Sequence, residues 1–155
     1  MSKKIILLAD DDTDDTEMFC EALEEINENI TCHCAENGSQ AWKILNQINE
    51  KPQLIFLDLN MPVMNGWDCL KLVKQDSHYK DIPVIMISTS SHKNDIEMAS
   101  KLGSICYLVK PNSFKDLKQL LLAITSNLGD GLRDALIKLK ESGSKHIFMC
   151  TGNAD

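Results

Sequence analysis

Asp10 and Asp11 follow one short apolar run, Asp58 ends a second, Ser88 ends a third, and Lys110 follows a fourth. Each run is too short for a helix and rich in strand formers, so each reads as a buried strand that stops at a polar side chain. Three carboxylates gathered in one crevice repel one another and hold protons unless a cation sits among them. A hard divalent ion meets that need, and magnesium (Mg2+) takes a few oxygen ligands while keeping several waters. In this reading Asp11 and Asp58 bind the ion directly and Asp10 acts through water. A lysine ammonium and a serine hydroxyl nearby would cradle the oxygens of a phosphoryl group, which requires donors and cations. Asp58, central and beside the metal, is the candidate nucleophile that accepts the group as an acyl phosphate.

That chemistry requires the strand ends to share one rim. Residues 4–9, 54–57, 83–87 and 105–109 are continuous apolar runs, the pattern of strands covered on both faces, and residues 30–35 alternate Ile30, Cys32 and Cys34 with Thr31 and His33. Helical spacing follows each strand: Met18, Phe19, Ala22, Leu23 and Ile26; then Ala41, Trp42, Leu45 and Ile48; then residues 67–74; then a helix to Leu102 closed by Gly103; then residues 114–128, with Leu117, Leu120, Leu121 and Ile124 on one face. Five βα units with short loops predict an α/β, flavodoxin-like doubly wound (βα)5 fold. Its five-stranded parallel sheet takes the order 2-1-3-4-5, with the switch point between strands 1 and 3. Asp10 and Asp11 then lie beside Asp58, and Ser88 and Lys110 join the same edge.

Composition narrows the class. A chain of 155 residues with 43% hydrophobic and 25% charged side chains suits one soluble domain with its own core. No apolar run approaches a membrane span, and Met1-Ser2-Lys3-Lys4 leads into a strand rather than a signal-peptide core, so the expected location is cytoplasmic. A net charge of -7 without a basic run argues against nucleic acid. The six cysteines lack CxxC spacing and read as buried reduced thiols. His78, His92 and His146 show no ligand spacing and read as surface residues.

At these residues the sequence resembles the response-regulator receiver family, the phosphoacceptor half of two-component signalling. The matching pieces are Asp10-Asp11, the stretch Leu57-Asp58-Leu59-Asn60-Met61-Pro62-Val63-Met64-Asn65-Gly66, Ser88, and Tyr107-Leu108-Val109-Lys110-Pro111. The resemblance covers about residues 3–128 and points to stand-alone, chemotaxis-type receivers. The run from Asp10 to Asp15 is also similar to receivers that serve phytochrome-type kinases. It implies that a histidine kinase phosphorylates Asp58, that Asp10, Asp11, Asp58 and the Asn60 backbone carbonyl hold Mg2+, and that Ser88 and Lys110 contact the phosphoryl group. It further implies that Tyr107 is the switch aromatic and that the Lys110–Pro111 peptide is cis; because Ser88 lacks the methyl group of threonine, looser steric coupling is expected to leave Tyr107 in both orientations before phosphorylation. The sequence departs from the family's common pattern at Asn65, Ser104, Thr89 and Asn112.

Neighbouring residues carry other roles. Asp12, Asp14 and Asp15 read as helix-start residues, Ser90 and Ser91 as caps of the following helix, and Gly66 as a turn position with positive φ. Two other functions remain open. A magnesium-dependent phosphohydrolase of the haloacid-dehalogenase type would want a second Asp two positions after the nucleophile, where this chain has Asn60. A docking protein that never meets phosphate would have no use for the acid pair, Ser88 and Lys110. Residues 1–128 are therefore expected to form a receiver that signals to a protein target as a monomer or weak dimer. Residues 129–155 form a tail with a hinge at Gly129-Asp130-Gly131, an amphipathic stripe (Leu132, Ala135, Leu136, Leu139) and an apolar end at Ile147-Phe148-Met149-Cys150, expected to dock on the receiver or on a neighbouring subunit.

Overall fold

The computed structural model describes residues 3–27 and 29–150. Strands β1 (Lys4–Ala9), β2 (Ile30–Ala35), β3 (Leu54–Asp58), β4 (Val84–Ser88) and β5 (Cys106–Val109) alternate with helices α1 (Thr13–Ile26), α2 (Gly38–Gln47), α3 (Gly66–Gln75), α4 (Lys93–Lys101) and α5 (Phe114–Thr125). Two further elements follow, α6 (Leu132–Glu141) and β6 (Ile147–Met149). The sheet order is β2-β1-β3-β4-β5-β6. The first five strands are parallel neighbours, with Ala9 opposite Leu57 and Ser88 opposite Val109, so their carboxyl ends lie along one rim.

Alternation within each strand builds two apolar layers. Leu7, Ile55, Leu57, Met86 and Tyr107 face one way and pack with Leu45, Leu70, Val73 and Ala99 from α2, α3 and α4. Ile6, Leu8, Phe56, Ile85 and Leu108 face the other way and pack with Phe19, Leu23, Leu121 and Ile124 from α1 and α5. Both faces are covered, which explains why these strands read as continuous apolar runs. Side-chain caps start α1, α2, α3 and α5, where Asp12, Asn37, Asn65 and Ser113 accept from backbone amides three residues on. Among the described residues no helix is long and apolar enough to cross a membrane.

Among the described residues the sheet has six strands where five are expected. The apolar end at 147–149 is a strand that pairs antiparallel with β5, placing Phe148 opposite Tyr107. Between β5 and β6 the chain runs through both α5 and α6, and the second helix returns it to the carboxyl-end rim, so β6 enters beside Leu108 and runs antiparallel. Leu132 and Leu136 of α6 are buried in the α1–α5 layer, and the Arg133 Nη1 donates to the Cys150 carbonyl at 3.1 Å. Ser104 donates to the Ala99 carbonyl at 3.0 Å and lies 3.2 Å from the Cys150 sulfur. The polar residue after Gly103 is thus buried with partners at the foot of β5.

Leu136→Ala would leave a cavity beneath α6 and is expected to cost about 2–5 kcal/mol. Urea unfolding checks this, and a wild-type midpoint in the variant would mean that α6 contributes nothing to the core.

Candidate functional site

The rim above the sheet gathers charge around one ammonium group. Lys110 leaves β5 with its amide donating to the Ser88 carbonyl at 2.8 Å, which fixes the start of its side chain. Its Nζ donates to Asp10 Oδ2 at 2.7 Å and to Asp15 Oδ2 at 2.9 Å, and lies 3.6 Å from Asp58 Oδ2. Asp10 is nearly sealed, with a side chain 2% exposed, and its other oxygen accepts from the Asp12 amide at 3.0 Å. Asp58 ends β3 with a side chain 13% exposed. Asp11 stands exposed, yet one oxygen from each of Asp10, Asp11 and Asp58 falls within 4.8 Å of the others.

The protonation balance follows from this crowding. Burial pushes the Asp58 carboxyl up to about 7, with Lys110 pulling it down and Asp10 and Asp11 adding to the rise. Burial works against the charge on Lys110, but its hydrogen bonds to Asp10 and Asp15 and the nearby Asp58 charge raise it well above the ordinary lysine value. A carboxylate set with this much unrelieved repulsion is a donor set suited to a hard divalent cation, since an ion would restore the charged form of Asp58.

Several residues play parts other than those expected. Asp15 is not only a helix-start residue: it sits three residues after the cap Asp12, and the backward lean of helical side chains brings it over the end of β1 to Lys110. The acidic run from Asp10 to Asp15 was its one sequence signal. Gly66 does not have positive φ. It opens α3, and a Cβ there would stand only 2.1 Å from the Asp58 carbonyl oxygen, so close backbone approach is what demands glycine. Positive φ falls instead on Val63, at 66°, an unusual conformation for a β-branched residue, on the loop between Asp58 and α3. Asn60 lies exposed on that loop.

Ser90 does not cap α4, whose N-cap is His92 without a side-chain bond. Its amide donates to Ser88 Oγ at 3.1 Å, and its carbonyl accepts from the Tyr107 hydroxyl at 2.9 Å. Ser88 and Tyr107 are thereby linked through Ser90. The Tyr107 ring is fully buried, held in one inward position by that bond and by Phe148, whose ring centroid is 6.5 Å away. The Lys110–Pro111 peptide is trans, as no described peptide is cis. Trans is the lower-energy form of an X–Pro bond, and from it Lys110 still reaches Asp10, Asp15 and Asp58. His146 is half-buried rather than a surface residue, with Nδ1 3.1 Å from the Val109 carbonyl. Of the cysteines only Cys69, Cys106 and Cys150 are buried; Cys20 and Cys32 are partly exposed and Cys34 is open.

A flavodoxin-like sheet with three carboxylates, a hydroxyl and an ammonium along the carboxyl ends of its strands is the arrangement of a receiver-type signalling domain. The response regulator receiver domain matches residues 6–122, and this chain belongs to that family, which serves two-component signalling. Chemotaxis protein CheY1 of Helicobacter pylori is 42% identical over 87 residues, covering 56% of this chain and 69% of its own length. Response regulator Rcp1 of Synechocystis is 33% identical over 128 residues, covering 79% of this chain and 87% of its own. The Mn(2+)-bound form of Rcp1 superposes with a TM-score of 0.70 at 32% identity, over 79% of this chain and 92% of that one. The phosphorylated cyanobacterial phytochrome response regulator RcpA gives 0.75 at 30% identity, over 82% and 94%.

The raised Asp58 carboxyl has a measurable sign. The folded protein holds this proton more tightly than the unfolded chain, so its charge opposes folding fully above about pH 7 and progressively less as pH falls toward the ordinary value of 3.8. In chelator, Asp58→Asn is expected to melt a few degrees above wild type at pH 8, with a smaller gap at pH 5. An equal gap at both values would show that the buried charge is not the cause.

Proposed function

We propose that this chain is a two-component receiver that accepts a phosphoryl group from a histidine kinase on Asp58 and signals through protein–protein contact. The convergence of Asp10, Asp11 and Asp58 within 4.8 Å, with the Lys110 ammonium 3.6 Å from Asp58, carries this reading. An oxygen of Asp58 forms the new bond to phosphorus as the phosphorus–nitrogen bond to the kinase imidazole breaks, and the imidazole leaves with the electron pair and is reprotonated. Asp10, Asp11, Asp58 and the Asn60 backbone carbonyl would hold Mg2+, Asp11 and Asp58 directly. Bound there, the ion would supply neutralisation of the negative charge on the site. That Rcp1, a relative, has a Mn(2+)-bound form supports a divalent site of this kind.

The chain's own residues supply the rest. Lys110 already serves Asp10, Asp15 and Asp58, and shifting it toward phosphoryl oxygens needs no new charge in the site. Ser88 Oγ now accepts from the Ser90 amide, so its turn toward the phosphoryl group would release Ser90 and, through the Ser90 carbonyl, the Tyr107 hydroxyl. The output face is that of α4, β5 and α5, with β6 added beside Tyr107. The protein acts in the cytoplasm as a monomer or weak dimer, and binds neither nucleic acid nor membrane. Residues 1–128 are the receiver unit and residues 129–155 an accessory tail. Catalysis is limited to phosphotransfer to itself and slow autodephosphorylation.

Incubation with acetyl phosphate and Mg2+, followed by intact mass, is expected to show one phosphoryl adduct. Asp58→Asn should abolish it and Lys110→Ala should slow its formation by about 10²-fold. Turnover of small phosphate esters would favour the hydrolase instead, and no adduct would favour a phosphate-independent docking protein.

A further inference from the structure

Helix α1 and edge strand β2 bring together three thiols that lie 12 and 14 residues apart in sequence and far from any CxxC pattern. Cys32 and Cys34, two residues apart on β2, point to the same face, and Cys20 of α1 lies over them. Cys20 Sγ is 3.3 Å from Cys34 Sγ, Cys34 Sγ is 3.9 Å from Cys32 Sγ, and all three sulfurs fall within 4.8 Å of one another. We propose that Cys20, Cys32 and Cys34 form a three-thiolate site for a soft, thiophilic metal ion of the zinc(II) or copper(I) class.

The geometry suits such an ion with little adjustment. A triangle with sides of 3.3 and 3.9 Å has its centre at least about 2.0 Å from each corner, and about 2.4 Å if the third side is at its limit of 4.8 Å, close to the zinc–thiolate bond length of about 2.3 Å. The site is reachable, because Cys34 is exposed while Cys20 and Cys32 are partly buried. Among the described residues no fourth His, Cys, Asp or Glu joins the group. Copper(I) accepts three thiolates as they stand, and zinc would complete a tetrahedron with water at the open side. A disulfide uses only two of the three sulfurs and needs an oxidant, whereas a metal uses all three and needs only the loss of thiol protons.

The ligand chemistry separates this site from the rim. The acid cluster offers hard oxygen ligands and the thiol cluster soft sulfur ligands, so one ion species will not serve both equally. Binding would also pin α1 to β2, and α1 carries the Asp15 that bonds Lys110.

Cobalt(II) is a direct probe, because a cobalt–thiolate centre has a charge-transfer band that oxygen ligands do not produce. Under anaerobic, reducing conditions the full chain is expected to develop this band, saturating at one equivalent. Zinc(II) should abolish it, and iodoacetamide labelling of Cys34 should fall in parallel. The band should survive Asp11→Ala and disappear in Cys34→Ser, an exposed position whose change leaves the core intact, and in Cys20→Ser. Competition between zinc(II) and a copper(I) chelate then decides which ion the site prefers. Absence of the band in wild type, or its persistence in both serine variants, would overturn the proposal, as would unchanged Cys34 labelling with one equivalent of zinc.

Discussion

The ammonium of Lys110 is the point on which the rim depends. It joins the ends of β1 and β3 and the first turn of α1 to β5, through contacts at 2.7, 2.9 and 3.6 Å. Asp10 is nearly sealed from solvent, so without this partner a buried carboxylate would stand uncompensated, a loss worth about 3–5 kcal/mol in comparable cases. The same cation moderates Asp58, whose burial and acidic neighbours otherwise push it toward neutrality. Lys110 thus balances the charges of Asp10, Asp15 and Asp58 at once, and a change at any one of them bears on the other two.

Precision at the rim comes from the layers beneath it. Leu57 and Met86 on one face, with Phe56 and Ile87 on the other, fix the two central strands between helices, and Asp58 and Ser88 are simply their last residues. The Gly66 contact with the Asp58 carbonyl seats α3 against the end of β3. A side chain at that glycine would press on the backbone of Asp58 itself. Rigidity therefore reaches Asp58 from three directions, while Asp11, Asn60 and Thr89 stay open to solvent.

Features set by short-range pattern were legible in the chain. Continuous apolar runs signalled doubly covered strands, and a polar residue at the end of four of them marked a shared edge. Asp10, Asp11, Asp58, Ser88 and Lys110 follow from that logic, and the structure brings them to one rim. Less legible were contacts that depend on where distant segments meet. Asp15 bonds a lysine 95 positions away. The thiol cluster needs the packing of α1 on β2, because two of its members alternate along a strand and the third lies on a helix. Strand β6 was too short to carry a period, and its pairing with β5 depends on α6 folding back to bury Leu132 and Leu136 in the α1–α5 layer. Ser90 was hidden by its neighbours, since any serine in that run could have capped the helix.

Strand β6 also changes what the sheet offers to its surroundings. A sheet ending on β5 would present a ladder of unpaired amides and carbonyls along its border, the template on which foreign strands assemble. Here that border is taken by a three-residue antiparallel strand, with the Lys140 ammonium lying over Phe148. Short, charge-guarded borders are poor templates. The other border, β2, is twice as long, with six residues. Backbone pairing with another chain is therefore favoured at β2, the border away from Lys110, over the border at β6.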